Sequence, residues 1–116
     1  MGAEITRYDD EAVVLELPIG PQLQQQNGFV HGGMICYLAD NALSFAGGRR
    51  LGLNVLTSDV SIRYLRPAQG EKLIARATTQ ATTSRMAVTQ GELSVLRGGS
   101  EYICAVGSAT VSRVRA

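Results

Sequence analysis

Residues 32–48, GGMICYLADNALSFAGG, place the strongest constraint on the fold of this chain. Glycines bracket a segment of helical periodicity, which predicts a helix from about Gly32 to Gly47. The apolar side chains that recur at helical spacing and form one face are Ile35, Leu38, Ala42 and Phe45. The other faces hold few polar residues that could be turned towards water. A helix of this kind has to be covered on most of its sides by the rest of the chain.

The segments on either side of the helix have the patterns of strands and turns. Before it, residues 11–20 predict a strand that Pro18 and Gly20 end, and residues 21–30 predict an uncharged loop. After it, the predicted strands are residues 54–67, residues 71–81, and a hairpin over residues 86–114 that turns at Gly98-Gly99. The chain is therefore predicted to have about five antiparallel strands, with one helix inserted after the first.

Small residues line one face of the last two predicted strands. They are Ala87, Gly91, Ala105, Gly107 and Ala109. A sheet with one solvated face usually carries larger β-branched residues, whereas rows of glycine and alanine allow another backbone to approach closely. The candidate for that approach is the apolar helix. The sequence thus predicts one α+β domain over residues 1–116, in which a curved antiparallel sheet wraps around one long central helix.

Composition and charge narrow the class of function. With 116 residues and a net charge of +1, the chain gives no support for nucleic-acid or membrane-surface binding as its main role. Cys36 and Cys104 lie in apolar runs without CxxC spacing, which favours reduced, buried thiols over a disulfide or a metal site. The N-terminal segment is acidic where a signal peptide is apolar, and no apolar run has the length of a membrane span. We expect a cytoplasmic enzyme or binding protein.

Asp40 is the residue that points to chemistry. The chain carries no Asp, Glu, Lys or Arg from Leu17 to Ala39. Asp40 then appears within the apolar helix, nine residues after His31, the only histidine. An unpaired buried carboxylate is costly, so this one must be paired or used. Its neighbours on the helical wheel are mostly small, which indicates a groove. It is either a catalytic group or a structural residue that hydrogen-bonds to a neighbouring backbone.

Two motifs resemble one known family. The stretch GFVHGGMICYLAD at residues 28–40 and the stretch SIRYLRPA at residues 61–68 resemble the hotdog-fold thioesterases of the PaaI type, in the 4-hydroxybenzoyl-CoA thioesterase superfamily. The similarity extends over nearly the whole chain. It implies the hotdog fold, assembly into a homodimer or homotetramer, and hydrolysis of acyl-coenzyme A (acyl-CoA) thioesters.

The resemblance assigns catalytic candidates position by position. Asp40 matches the family's general base or nucleophile, and Gly32 matches the residue whose backbone N–H polarises the thioester carbonyl. Gln25 falls where this family usually has Asn, and Thr57 falls near the hydroxyl residue that helps to hold the attacking water. We expect the ring of His31 to hydrogen-bond in the turn and to fix the direction of the Gly32 N–H.

Elementary helix geometry adds an expectation about assembly. Gly32 and Gly33 open the predicted helix, so their backbone N–H groups lack partners and could bind an oxyanion, although two glycines can also simply make a tight turn. Asp40 follows eight residues after Gly32, or about 12 Å along the helix axis. One helix cannot bring both groups to one carbonyl, whereas two antiparallel helices related by a two-fold axis can. We therefore expect at least a dimer.

The sequence indicates residues for substrate binding less specifically than it indicates the catalytic residues. Gly33 lies beside the expected oxyanion donor, and Asn27 is the nearest asparagine to position 25, two positions off the family pattern. Arg63, Arg66 and Arg85 lie on or beside strands after the helix, and each is either a partner for CoA phosphates or a solvated strand residue. A lone histidine lacks the companions of a metal site, so we expect no metal and no cofactor.

Two other functions compete with hydrolysis. The first is a hotdog protein that only binds acyl-CoA or a fatty acyl group, and such a protein would not need an acid at position 40. The second is a hydratase or dehydratase, which pairs a histidine with an acidic residue on a different pattern, and His31 is the only histidine available. Asp40 favours the hydrolase.

Overall fold

An antiparallel sheet wraps around one long helix in the computed structural model, which describes residues 3–20, 30–52 and 54–114. The elements in chain order are β1 Glu4–Tyr8, β2 Val13–Pro18, α1 Gly32–Leu51, β3 Val55–Tyr64, β4 Lys72–Thr82, β5 Met86–Arg97 and β6 Ser100–Arg113. The six strands pair antiparallel in the order β1-β2-β4-β5-β6-β3. This α+β arrangement is the hotdog fold, which confirms the predicted fold class.

Two details of the elements differ from the prediction. The sheet has six strands rather than five, because β1 pairs with β2 at one edge. All five residues of β1 are exposed. The segment does not show the regular alternation of apolar and polar residues that predicts a strand. The helix runs to Leu51, beyond the predicted end at Gly47, and stops at Gly52, whose positive φ of 100° suits glycine.

The core lies between α1 and the concave face of the sheet. Of the predicted helical face, Ile35, Leu38 and Ala42 are buried as expected. Phe45 is 38% exposed, and the core positions of that turn are taken by Leu43 and Ala46 instead. From the sheet, the buried apolar side chains that meet the helix include Val13, Leu15, Leu17, Leu73, Ala75, Ala77, Leu93, Val95, Ala105 and Ala109. The helix is covered by the sheet on one side and is open on the side of Phe45.

The small residues of β5 and β6 serve two purposes. Ala105 and Ala109 are buried in the core cluster, in agreement with a close approach of the helix. The two glycines have a different reason, because a Cβ on Gly91 would lie 2.6 Å from the carbonyl oxygen of Arg76 on β4. A Cβ on Gly107 would lie 2.8 Å from Ile62 Cδ1 on β3. These glycines therefore accommodate neighbouring strands rather than the helix.

β3 is the second edge of the sheet, and α1 lies beside it. The face of α1 that the sheet leaves uncovered exposes the large side chains of Tyr37 and Phe45, and the face of β3 that is turned towards α1 exposes Val60. An edge strand presents unpaired backbone groups that can bind another chain. Together these residues form an apolar surface along the edge of the molecule.

The structure also bears on two further predictions, that the cysteines are free thiols and that no segment spans a membrane. Cys36 and Cys104 are free, as predicted, and Cys104 is fully buried, whereas Cys36 is half-buried. Burial raises the pKa of the Cys104 thiol. Within the described ranges, no helix combines the length and apolar character needed to cross a membrane. The cytoplasmic location stays a prediction.

The contact between Gly47 and Val111 predicts that one methyl group added at position 47 lowers the stability of the fold. A Cβ on Gly47 would lie 2.7 Å from Val111 Cβ, so Gly47→Ala should lower the free energy of unfolding by about 1–2 kcal/mol through overpacking. Gly48→Ala is the matched control, because its Cβ would meet Val55 Cγ2 at 3.6 Å, an ordinary contact. Alanine also favours the helix over glycine, so Gly48→Ala should leave stability unchanged or raised. Urea denaturation measures both variants, and equal stabilities would contradict this packing.

Candidate functional site

The carboxylate of Asp40 is held by two hydroxyl groups from different elements. Asp40 is half-buried in the middle of α1. Its Oδ1 accepts a hydrogen bond at 3.2 Å from Ser44 Oγ, one turn further along the helix. The same Oδ1 lies 3.2 Å from Thr57 Oγ1 on β3, which also donates to it. The carboxylate is thus tied to both the helix and the edge strand.

The protons of these hydroxyls limit how the contacts can be made. Ser44 Oγ and Thr57 Oγ1 are themselves 2.5 Å apart, which makes three short contacts among three oxygens. Each hydroxyl has one hydrogen to donate, so only two of the three contacts can be hydrogen bonds at one time. Either both hydroxyls donate to Oδ1, or one donates to the other, which donates to Oδ1. Asp40 Oδ1 keeps a donor in every case, while its Oδ2 accepts no bond from the described residues.

The first turn of α1 offers free backbone donors. The N-cap residue His31 has φ −58° and ψ 137°, and its carbonyl accepts the N–H groups of Met34 at 3.0 Å and Ile35 at 3.3 Å. Within the ranges the structure describes, the N–H groups of Gly32 and Gly33 have no backbone acceptor, and no side chain caps the helix. Unpaired donors at the positive end of a helix dipole can bind an oxyanion. A Cβ on Gly33 would meet nothing within 4 Å, so this end is open.

A groove borders these donors. It has a volume of about 390 Å³, and its lining includes Val30, Gly32, Ile35, Tyr64, Leu65 and Arg66. The walls are mainly apolar, with the exposed Arg66 at the rim. The hydroxyl of Tyr64 donates to the Gly32 carbonyl at 3.1 Å, so the end of β3 is fixed to the start of α1. The groove can take an elongated ligand whose reactive group meets the helix start.

The predicted arginines lie in different places. Arg63 precedes Tyr64 on β3 and therefore points to the opposite face of the sheet, where it lines a second groove of about 570 Å³. That groove contains neither Gly32 nor Asp40. Arg85 is exposed in the turn between β4 and β5, and its carbonyl accepts the Arg113 N–H. Of the three candidates, only Arg66 borders the groove at the helix start.

Three other predicted residues remain without tested roles. Gln25 and Asn27 lie outside the described residues. His31 is exposed, and its ring makes no hydrogen bond that caps the helix, so its role in the turn stays a prediction. The parts of the chain that the structure describes hold no group of three His, Cys, Asp or Glu residues arranged to bind a metal ion.

Two residues of the site were not recognised as functional from the sequence. Ser44 is one of the small neighbours of Asp40 on the helical wheel, and its position four residues later places it on the same helical face. Tyr64 is the aromatic residue of the second motif. Its contact with Gly32 joins residues 32 positions apart, and no local pattern reveals such a contact.

The comparisons with known proteins agree with one another. Residues 27–101 match the profile of the family described as the Thioesterase superfamily. A thioesterase family protein from Silicibacter pomeroyi is 30% identical, with a TM-score of 0.89 over 96% of this chain and 83% of that one. A protein from Bacillus halodurans, solved with CoA, is 27% identical, with a TM-score of 0.83 over 97% of this chain and 74% of that one.

A third solved structure extends the likeness in fold alone. The PaaI protein of the E. coli phenylacetic acid degradation operon is 23% identical, with a TM-score of 0.85. The match covers 97% of this chain and 80% of PaaI.

The shared hydrogen bonds at Asp40 predict that two hydroxyls can replace each other. In Ser44→Ala or Thr57→Val alone, the remaining hydroxyl still donates to Oδ1, so each change should cost less than about 1 kcal/mol of unfolding free energy. The double variant leaves Oδ1 without either donor and should cost at least about 0.5 kcal/mol more than the sum. Urea denaturation of the wild type, the two single variants and the double variant gives the four free energies of this double-mutant cycle. Additive costs would show that the hydroxyls act independently.

Proposed function

The chain belongs to the thioesterase superfamily, and on this basis we propose that it hydrolyses acyl-CoA thioesters to a free acid and CoA. It is a thioester hydrolase of the PaaI-like hotdog type, as its two sequence motifs predicted. The observation that carries the proposal is the carboxylate of Asp40, held at Oδ1 by two hydroxyls while Oδ2 has no donor among the described residues. A carboxylate held in this way can act on a substrate without first having to be oriented.

Asp40 supplies the reactive carboxylate. As general base, it takes a proton from water while the water oxygen attacks the thioester carbonyl carbon, and the C–S bond then breaks to release the CoA thiolate, which takes up a proton. As nucleophile, it attacks that carbon directly and the C–S bond breaks, which releases the CoA thiolate to take up a proton. Water then hydrolyses the mixed anhydride to the free acid and restores the carboxylate of Asp40. Both routes require the same free oxygen at the same place. Ser44 and Thr57 hold the carboxylate, and their hydroxyls can also bind the attacking water.

Gly32 supplies the electrophilic side of the reaction. Negative charge develops on the carbonyl oxygen when the carbon is attacked, and the free N–H of Gly32 at the helix start can donate to it. The absence of a side chain lets the thioester come close. The adjoining groove then accommodates one arm of the substrate.

The active form is an assembly in which two copies share each site. Gly32 and Asp40 lie about 12 Å apart along α1, too far for both to reach one carbonyl carbon. The apolar surface formed by Tyr37, Phe45 and Val60, together with the unpaired edge of β3, is suited to a second copy. A two-fold axis there would set two α1 helices antiparallel, with Gly32 of one facing Asp40 of the other. A tetramer would pair two such dimers.

CoA is the leaving group that fits the family. The Bacillus halodurans relative solved with CoA supports a CoA-type ligand. Arg66 at the rim of the groove is the candidate to bind a phosphate, because a guanidinium binds phosphate in a bidentate manner. Arg63 and Arg85 would bind CoA only if another part of the assembly brought the ligand to them.

Substitution of Asp40 tests the reaction. Asp40→Asn keeps the shape and an acceptor oxygen but cannot take a proton, so kcat should fall by at least about 100-fold. Binding of a thioether analogue of the substrate, measured by calorimetry, should remain within a few-fold. Asp59→Asn is the matched control, because Asp59 is an exposed residue of β3 close to Thr57. Thiol release from a panel of acyl-CoA thioesters gives the rates, and full turnover by Asp40→Asn would exclude this mechanism.

Mixing two inactive variants tests the shared site. Gly32→Pro deletes the donor N–H, and proline suits the first helical position, because His31 before it already has extended φ and ψ values. Neither Gly32→Pro nor Asp40→Asn should turn over alone. In hybrids of the two, one site combines an intact Gly32 with an intact Asp40, so equal mixing should restore about a quarter of wild-type activity. Subunit exchange is followed by mass spectrometry, and hybrids without activity would place both groups in one subunit.

A further inference from the structure

Tyr64 connects the edge strand to the start of the helix. It is the last residue of β3 and pairs with Ala105 on β6, so its backbone is anchored in the sheet. Its hydroxyl donates to the carbonyl oxygen of Gly32 at 3.1 Å. Its ring lies beside the same glycine, because a Cβ on Gly32 would meet Tyr64 Cε1 and Oη at 3.9 Å. Tyr64 therefore contacts the backbone of the residue that opens α1.

The first turn of α1 needs a restraint of this kind. It begins with two consecutive glycines, which have the widest conformational freedom of all residues. Among the residues that the structure describes, no side chain caps this end of the helix, and the first turn contains no acidic residue. Helix ends fray, and the hydrogen bond from Tyr64 restrains the Gly32–Gly33 peptide group in addition to the hydrogen bonds of the helix itself.

The planarity of the peptide bond determines what Tyr64 controls. The carbonyl of Gly32 and the N–H of Gly33 belong to one rigid, trans peptide group, in which they point in opposite directions. A hydrogen bond that fixes the carbonyl therefore fixes the direction of the Gly33 N–H as well. The same bond draws electron density towards the carbonyl oxygen and makes the N–H a better donor.

We propose that Tyr64 is a positioning residue for the thioesterase reaction, whose hydroxyl holds the Gly32–Gly33 peptide so that the Gly33 N–H acts as a second oxyanion donor beside that of Gly32. This inference rests on the proposed function and adds to it a residue that touches no reacting atom. The phenol remains able to donate over a wide pH range, since partial burial raises the pKa of Tyr64.

Tyr64→Phe tests the proposal by removing the hydroxyl and keeping the ring. Because the second donor strengthens its bond mainly in the transition state, kcat for an acyl-CoA thioester should fall about ten-fold while KM stays within about two-fold. Tyr8→Phe is the control for the loss of a phenol hydroxyl, because Tyr8 is an exposed residue of β1, at the edge of the sheet opposite β3. Tyr8→Phe should leave kcat unchanged.

An amide measurement separates a positioning role from a general loss of stability. In ¹⁵N-labelled protein, Tyr64→Phe should shift the Gly33 amide resonance clearly more than that of Gly32, since only the Gly33 N–H shares a peptide with the bonded carbonyl. An unchanged kcat, or a Gly33 amide that does not move, overturns the proposal. If the wild-type protein releases no thiol from acyl-CoA, the proposed function itself is wrong, and the amide shift still decides whether Tyr64 fixes this peptide.

Discussion

The close packing of α1 against the sheet is the constraint on which the rest of the structure depends. A helix with so few polar residues is stable in water only when its apolar side chains are removed from solvent. The sheet achieves this with large and small buried side chains, and the helix comes close to the sheet where Gly47 meets Val111. Because this packing fixes the position of α1, it also fixes where the helix start and the middle of the helix lie relative to β3.

The same packing explains how a carboxylate is tolerated in an apolar helix. Asp40 lies on the side of α1 that faces β3 and is only half-buried, so it is not fully deprived of water. Hydroxyls of Ser44 and Thr57 satisfy its Oδ1 without introducing a positive charge. A lysine or arginine partner would have neutralised the group and weakened it as a base. Neutral donors instead orient the carboxylate and leave its charge available for chemistry.

The parts of the fold and the site that are local in sequence could be predicted, and the parts that depend on tertiary contacts could not. The periodicity of α1 placed Asp40 in a helix, and the fold class followed from the strand patterns. Thr57 was assigned only by family resemblance, because its contact with Asp40 crosses from helix to strand. The helical spacing predicts Phe45 on the same apolar face as Ile35, Leu38 and Ala42, but a helical wheel does not reveal which part of that face stays uncovered. The alternation of side chains along a strand does predict from the sequence that Arg63 and Tyr64 lie on opposite faces of the sheet.

A site divided between two copies follows from the placement of its two essential groups on one rigid helix. An α-helix holds residues eight positions apart at a fixed separation, so no side-chain rotation can bring the carboxylate of Asp40 to the backbone N–H of Gly32 in the same chain. Under the proposed mechanism, only a second helix running in the opposite direction supplies the missing group. The uncovered side of α1 and the unpaired edge of β3 are adjacent, so a single interface could cover both. Burial of the apolar surface and completion of the site would then be the same event, and activity would be coupled to assembly.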